Sequence, residues 1–363
     1  MKIIVYVNSG DVSPSGYYRI LQYLRNRPDD IVVHSLMPTT IYVWWHKQSR
    51  LVHRLCSVLL YIIIYIRTLC FMILDGVGHD NRIIISKYIV PHYMFFPHTL
   101  LLKRLAKNNV LIWDFDDNII ESNSISRKEF NILSEYSKYI VVISSFLKGL
   151  IAKEYHNKVL LLPTTDGDVQ NYDTYILSRN REQNFNKYFI LMWLGTAGNL
   201  VYLYNVIRYL DNAALYIKRT FGKQLVLKVV CNKPLIADKR YIQIDNIPWS
   251  RQVAIDCMLH SHIGIMPLVD NRITRGKGGF KLIQYLSAGL PVIASSVGYN
   301  NYIVSDDCGV LLSKDSEQDW VNAILKFCKS WDDYMVYSRQ ARNRYENFFS
   351  YDHNLLVWND LLK

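Results

Sequence analysis

The sequence predicts an α/β fold of two doubly wound domains, on three observations. Short, nearly unbroken apolar runs of strand length alternate with stretches of helical periodicity, the pattern of a parallel sheet covered on both faces. The alternation stops in a polar stretch from Thr164 to Lys187 that has no hydrophobic period, and starts again at Tyr188. The chain has 363 residues, half of them apolar, enough for two domains of ordinary size. The expected division is residues 1–168, a linker over 169–187, and a second domain over 188–347. Ligands bind such sheets beyond the carboxyl ends of the strands, so the two domains are expected to turn those edges toward each other across a central cleft.

In chain order, Met1–Val7 reads as a first buried strand. It is too short for a signal h-region and has no cleavage site, which implies an active part that stays in the cytoplasm. The loop Ser9–Gly16 and the helix Tyr17–Leu24 complete half of a βαβ unit. Gly16 would let backbone approach a phosphate, and Arg19 lies one turn into the helix; the alternative is a plain turn and a solvated arginine. Ile31–Leu36 is the second strand. Residues 55–74, LCSVLLYIIIYIRTLCFMIL, are nearly all apolar around Arg67. Their length alone would permit a membrane span. A charge near the centre of a span costs about 2.5–3.5 kcal/mol, however, and a strand-like run, Asn81–Ser86, follows at once. His46, Lys47, Arg50, His53 and Arg54 precede the run, as in helices that lie in the membrane interface. The segment 46–74 is therefore expected to touch an inner-membrane surface, with a wholly buried helix and a true span as the alternatives.

Leu100–Ala106 is a helix and Val110–Trp113 a strand that runs into Asp114, Phe115, Asp116, Asp117 and Asn118. Carboxylates clustered past a strand end suit a site better than a core. His92 and His98 lie near this face, in loop or apolar contexts that read mainly as structural. Ser137–Ser145 and Val159–Pro163 close the first half, around a helix over Phe146–Tyr155. The second half opens with Tyr188–Leu194 and the glycine loop Gly195–Gly198, then a helix, the strands Gln224–Cys231 and Tyr241–Ile244, and the turn Asn246–Trp249. Trp249 there would line a base pocket or belong to the core. A helix over Gln252–His260 leads to the strand His262–Leu268. From Gln318 the tail is helical and amphipathic.

After that strand comes the stretch the rest is organised around, Arg275-Gly276-Lys277-Gly278-Gly279-Phe280-Lys281-Leu282-Ile283-Gln284-Tyr285-Leu286-Ser287-Ala288-Gly289-Leu290-Pro291-Val292. Cations among glycines precede a short apolar-periodic helix, and Lys281 falls in its first turn. A helix N-terminus favours an anion, so the stretch reads as a diphosphate-handling site, which Val297-Gly298-Tyr299-Asn300 supplements with a further glycine loop.

Net charge is +11, which calls for an acidic partner: a phosphorylated ligand, an anionic membrane surface or a nucleic acid. No basic helix or aromatic-basic array supports the last, and no nucleic acid is expected. The six cysteines are scattered without a Cys-x-x-Cys pair, as in buried reduced thiols rather than a structural zinc site.

The stretch from Gly264 to Leu312 resembles the C-terminal domain of glycosyltransferase family 4. It does so through Met266-Pro267-Leu268, Arg275-Gly276-Lys277, Phe280–Leu286, Gly289–Ser295 and Val297–Asn300. Gly16–Arg19, Asp114–Asp117 and Trp193–Thr196 fit the same pattern in the first half. The resemblance implies the GT-B fold, two Rossmann-like domains, with a helix of about 348–363 crossing back onto the first. It implies transfer of a sugar from a nucleotide-sugar, usually with retention and without a metal, typically in making bacterial surface polysaccharides or glycolipids. The family commonly carries two glutamates eight positions apart, one at the donor sugar and one at the ribose. Here those positions hold Gly276 and Gln284, and Gly195–Asn199 lacks the basic pair often found there. Gln284 would still hydrogen-bond a ribose.

On that resemblance, Lys281 and Arg275 are expected to hold the departing diphosphate as catalytic cations. Lys277, Arg19, Gly16, Gly298, Asn300, Gln284 and Trp249 are expected on the donor side. Asp116 and Asp117 would act at the acceptor hydroxyl, with Asp114, His92 and His98 on the acceptor side. An Asp-x-Asp metal motif and simple structural capping are the other readings of the aspartates, and no cofactor or metal is expected. The acceptor is expected to be a lipid-linked saccharide. A nucleotide-sugar epimerase of similar shape, or a catalytically silent sugar-nucleotide-binding protein, are the rival functions.

Overall fold

Unbroken runs of Ile, Val, Leu and aromatic residues form strands buried on both faces. The computed structural model describes residues 1–170, 172–314 and 316–363. The side chains of His46, Lys47, Arg50 and residues 174–177 lie outside the described set, and with them much of the expected basic flank. The strands are β1 (Lys2–Val7), β2 (Asp30–Ser35), β3 (Arg82–Ser86), β4 (Val110–Phe115), β5 (Tyr139–Val142) and β6 (Val159–Leu161), then β7 (Tyr188–Leu194), β8 (Gln224–Val230), β9 (Gln243–Ile247), β10 (Ile263–Met266), β11 (Val292–Ser295) and β12 (Gly309–Leu312). They form two six-stranded sheets, β2-β1-β3-β4-β5-β6 and β12-β11-β10-β7-β8-β9, with every adjacent pair parallel. The chain divides into two compact units, Met1–Thr164 with Asp352–Lys363, and Thr165–Tyr351.

Each sheet reverses its direction of growth once. In the first unit the chain adds β2 on one side of β1 and β3 on the other. In the second it adds β8 on one side of β7 and β10 on the other. Crossovers leave opposite faces at such a point and open a crevice at the carboxyl ends of the strands. In the first unit the crevice is bordered by the loops after β1 and β3, and in the second by those after β7 and β10.

Side chains alternate across β7. Phe189, Leu191 and Trp193 join the core under the helices Leu200–Phe221 and Glu317–Cys328, while Met192 and Leu194 join the core under Arg251–Leu259, Phe280–Ser287 and Trp331–Phe348. The polar stretch read as a linker contains a helix, Thr174–Phe185. Buried Arg181 explains the missing hydrophobic period, because it points inward as a cation and donates to the carbonyls of Gly289 and Ala288. At the other end of the chain, Tyr351–Leu361 lies almost wholly within the first unit, where Asn354 donates to Tyr23 and to the Pro163 carbonyl.

Arg50–Asp75 is one 26-residue helix. Leu60, Ile64, Thr68 and Met72, spaced by four, are buried against the first unit, and Arg67 donates to the Ser35 carbonyl at 3.0 Å. The charge that argued against a span is thus a tether to the end of β2. Most of the other apolar side chains stay outside: Leu51, Leu55, Val58 and Leu59 are each more than 60% exposed. Leu51–Asp75 is long and apolar enough to cross a membrane, with 22% of its most apolar window buried. A wholly buried helix is therefore excluded.

The second sheet holds its key helix through a glycine. A Cβ on Gly264 in β10 would lie 2.1 Å from the Tyr285 ring, whose oxygen accepts the Leu194 amide at 2.8 Å. Gly264→Ala should lower the unfolding free energy by about 1–3 kcal/mol through overpacking. The measurement is the urea midpoint at unchanged slope, and an unmoved midpoint contradicts this account.

Candidate functional site

In the second unit the helix Phe280–Ser287 begins at the crevice between β7 and β10. Its N-cap, Gly279, has φ +61°, and a Cβ there would strike Ile303 at 2.2 Å. Lys281 in the first turn extends toward β7, with its ammonium 4.9 Å from the Trp193 ring. Gly195 makes room for it: a Cβ at that position would stand 2.9 Å from the Lys281 nitrogen. Lys277 reaches the same loop and donates to the Asn199 side chain at 3.1 Å. Two cations therefore converge at the carboxyl end of β7. Burial, reinforced by Lys277, brings the Lys281 ammonium down to about 7. A cation held so close to neutrality is ready for an anion, whose arrival would raise it again.

The remaining donor-side expectations fare unevenly. Gly298, with φ +56°, packs on the Arg275 backbone, where a Cβ would come within 2.5 Å of the Arg275 carbonyl oxygen. The Arg275 side chain itself is exposed and forms a two-pronged ion pair with Asp270, at 2.5 and 2.7 Å. Asn300 is buried and donates to the Ser295 carbonyl, so it braces its own loop. Trp249 is half-buried against the core beside the helix Arg251–Leu259. Gln284 is buried and donates to Asp166 at 2.7 Å. Asp166 was not legible as a site residue: it sits in the polar stretch read as the domain boundary. Burial raises its carboxyl to about 6 despite the bond from Gln284.

In the first unit, charges gather at the ends of β1, β3 and β4. Arg19 lies in a π turn, Tyr17–Leu21, that is wholly buried. Its Nε donates to both Asp114 oxygens at 2.9 and 2.8 Å, and Nη1 to the Leu162 carbonyl and the Thr164 hydroxyl, each at 3.0 Å. Burial works to lower the Arg19 guanidinium, but the Asp114 charge prevails and holds it above its ordinary value. This corrects two expectations. Arg19 does not reach outward toward a donor, and Asp114, fully buried, does not face an acceptor. Gly16 likewise packs inward: a Cβ there would press on Val7 at 3.3 Å.

Asp116 and Asp117 are different. Lys87, just after β3, meets them at 2.9 and 2.7 Å. Lys87 has φ +67°, a left-handed conformation that is rare for a residue with a side chain. Its amide donates to the Asp114 carbonyl at 2.7 Å and its carbonyl accepts the Trp113 indole. Buried Glu129 fixes the same loop by accepting the amides of Ile89 and Val90. Burial works to raise the Asp116 carboxyl, but Lys87 and Arg19 bring it below the usual range. Asp117 remains about half exposed, at 48%. His92 bonds the Asn123 carbonyl and packs edge-on against Tyr61. His98 is buried between Thr68 and the Tyr65 carbonyl, tying two helices together rather than facing the aspartates.

Residues 192–330, within the second unit, match the family model described as glycosyl transferases group 1. No curated protein matches the sequence. Solved structures match the fold. The Anabaena protein HepE, in complex with UDP and glucose, has a TM-score of 0.67 at 10% identity, over 100% of this chain and 99% of its own. A glycosyltransferase from Rickettsia africae gives 0.59 at 14% identity, over 100% and 99%. The catalytic domain of starch synthase IV from Arabidopsis thaliana, bound to ADP and acarbose, gives 0.51 at 12%, over 82% and 76%. The fold is the two-domain α/β fold of GT-B glycosyltransferases, as the sequence predicts.

Two measurements follow from the charges. Arg19→Met leaves Asp114 buried without its partner and should cost about 3–5 kcal/mol, much of which Arg19→Met with Asp114→Leu should restore. Equal losses in the single and double variants would refute the pairing. For Lys281 the folded-state value lies below that of the unfolded chain. From about pH 7 to about pH 10 the unfolded chain holds a proton the folded one lacks, and stability should rise with pH. Lys281→Met should flatten that rise in denaturation curves taken across the window; an unchanged pH dependence would show that Lys281 is not depressed.

Proposed function

We propose that the chain moves a sugar from a nucleotide-sugar to a lipid-linked saccharide, with retention at the anomeric carbon and without a metal, in bacterial surface polysaccharide synthesis such as O-antigen or capsule. The observation that carries this reading is the convergence of Lys281 and Lys277 at the β7–β10 crevice of a domain that matches the glycosyl transferases group 1 model. Cleavage of the sugar–nucleotide bond leaves a diphosphate with added charge. Cations already fixed at that place stabilise the transition state more than the ground state. Lys281, brought down to about 7 by burial when the site is free, regains its charge when the anionic donor binds and is in place when the bond breaks. Lys277 assists, and Gly195 and Gly298 keep backbone close. Arg275, held by Asp270, serves the site through its backbone contact with Gly298. UDP bound to HepE favours UDP among the candidate nucleotides.

On the acceptor side, Asp116 and Asp117 receive hydrogen bonds from the acceptor. Lys87 holds Asp116 low, so it orients a hydroxyl better than it removes a proton, and the departing phosphate takes that proton. The exposed apolar side chains of the helix Arg50–Asp75 support attachment to the inner face of the cytoplasmic membrane. The test is turnover of UDP-, GDP- and dTDP-sugars with membrane extract, with and without excess chelator. Activity should survive the chelator, and Lys281→Ala should lower turnover by roughly 10²–10³-fold. Near wild-type turnover of that variant would sink the assignment, and loss of activity in chelator would restore the metal.

A further inference from the structure

Two cavities in the first unit flank one stretch of the helix Arg50–Asp75. The first, about 220 Å³, lies at the carboxyl edge of the sheet and is lined among others by Asn8, Tyr42, Trp45, Tyr61, Tyr88 and His92. It is smaller than the roughly 300–1,000 Å³ of sites for drug-sized molecules, and its aromatic walls suit a single sugar ring. It also adjoins the charged group: Tyr88 follows Lys87 in the chain, and Lys87 acts electrostatically on both Tyr42 and Tyr88. The second, about 300 Å³, is lined by Ile62, Tyr65, Ile66, Leu69, Phe95 and Pro97, together with His98.

The segment 91–98, a loop that runs into the first turn of the helix Phe96–Asn108, joins them. Its His92 end meets Tyr61 at 5.2 Å in the first cavity, and its Phe95 end meets Tyr65 at 5.2 Å in the second. Tyr61 and Tyr65 are one helical turn apart. The rim of the second cavity is open and apolar: Ile66 is 58% exposed and Phe95 61%. Inside it, His98 is buried and its Nδ1 has no hydrogen-bond partner among the described residues. An aromatic cavity whose Tyr88 follows Lys87, the partner of Asp116 and Asp117, and an apolar groove along the same helix Arg50–Asp75 match a molecule with a sugar at one end and a hydrocarbon chain at the other.

We propose that this helix and segment form the acceptor site. The saccharide ring stacks in the Tyr42–Trp45–Tyr61 cavity with its hydroxyls toward Asp116 and Asp117, and the first part of the hydrocarbon chain lies in the Ile62–Phe95 groove. The proposal rests on the glycosyltransferase reading and gives its acceptor a place in this chain.

The test is calorimetric binding of methyl, butyl, hexyl and octyl glycosides of glucose and N-acetylglucosamine to the full chain, below their micelle concentrations. Affinity should rise about fourfold per methylene over the lengths that enter the groove, the equivalent of ~0.8 kcal/mol. Phe95→Asp should abolish that chain-length dependence, and Trp45→Ala should weaken every glycoside by an order of magnitude or more. Leu74→Asp, exposed on the same helix outside the groove, should change neither. Vesicles of phosphatidylglycerol supply the contrasting outcome. If Phe95→Asp weakens vesicle binding and leaves the glycoside series unaltered, the groove is only a membrane-contact face and the proposal fails. Nucleotide binding to the wild type reports the transferase reading separately. A nucleotide bound without chain-length dependence overturns this proposal alone, and absence of binding by UDP, GDP and dTDP alike overturns the transferase reading.

Discussion

The contact of Tyr285 with Gly264 sets the geometry of the second unit. The ring lies where a side chain on β10 would have stood, and its oxygen accepts the last amide of β7. The helix Phe280–Ser287 is thereby fixed to both strands that border the crevice. Lys281, one turn before Tyr285, is carried to the end of β7, and Gly195 must lack a side chain for the same reason Gly264 must. The cationic site depends on two absent Cβ atoms and one phenol as much as on the lysines.

The first unit solves a different problem, that of keeping five charges beside an apolar sheet. Arg19 and Asp114 are buried as a saturated pair, with the second guanidinium branch bound to Leu162 and Thr164. Such a pair adds little net stability but is costly to break. It leaves Asp117 as the carboxylate toward the surface and the more buried Asp116 behind it, with Lys87 between them and its backbone in the left-handed region. Strain of that kind persists where the surroundings fix it, and Glu129 and Trp113 do so here.

The alternation of strands and helices, the break before Tyr188 and the Lys281 helix were legible because each has a local cause: periodicity, polarity or a glycine next to a cation. Lys87 and Asp166 were not, since Lys87 matters through Asp117, 30 positions on, and Asp166 through Gln284, 118 positions on, and a lysine after a strand or an aspartate in a polar stretch has no local mark. Arg19 shows the converse. Its place one turn into a helix after a glycine loop reads as outward, but a π turn buries it and pairs it with Asp114, 95 positions on. The helix Arg50–Asp75 was readable as unusual; which of its faces packs inward depended on a stripe of Leu60, Ile64, Thr68 and Met72 hidden inside uniform hydrophobicity.

Gln284 occupies a position where the resemblance places a glutamate, and the surroundings give that substitution a physical logic. Its amide lies 2.7 Å from the buried carboxylate of Asp166. A glutamate at 284 would set two buried carboxylates against each other, and they could not both ionise. The amide instead donates to Asp166, which also accepts the Asp168 amide at 2.8 Å. The acid at this point is therefore carried by a different element, at the start of the second unit, and not by the helix. Thr165 beside it bonds Tyr345, and Tyr345 donates to the Asp166 carbonyl at 3.0 Å. The segment that enters the second unit and the helix near its exit are thus fastened to the residue that holds Gln284, one turn from Lys281.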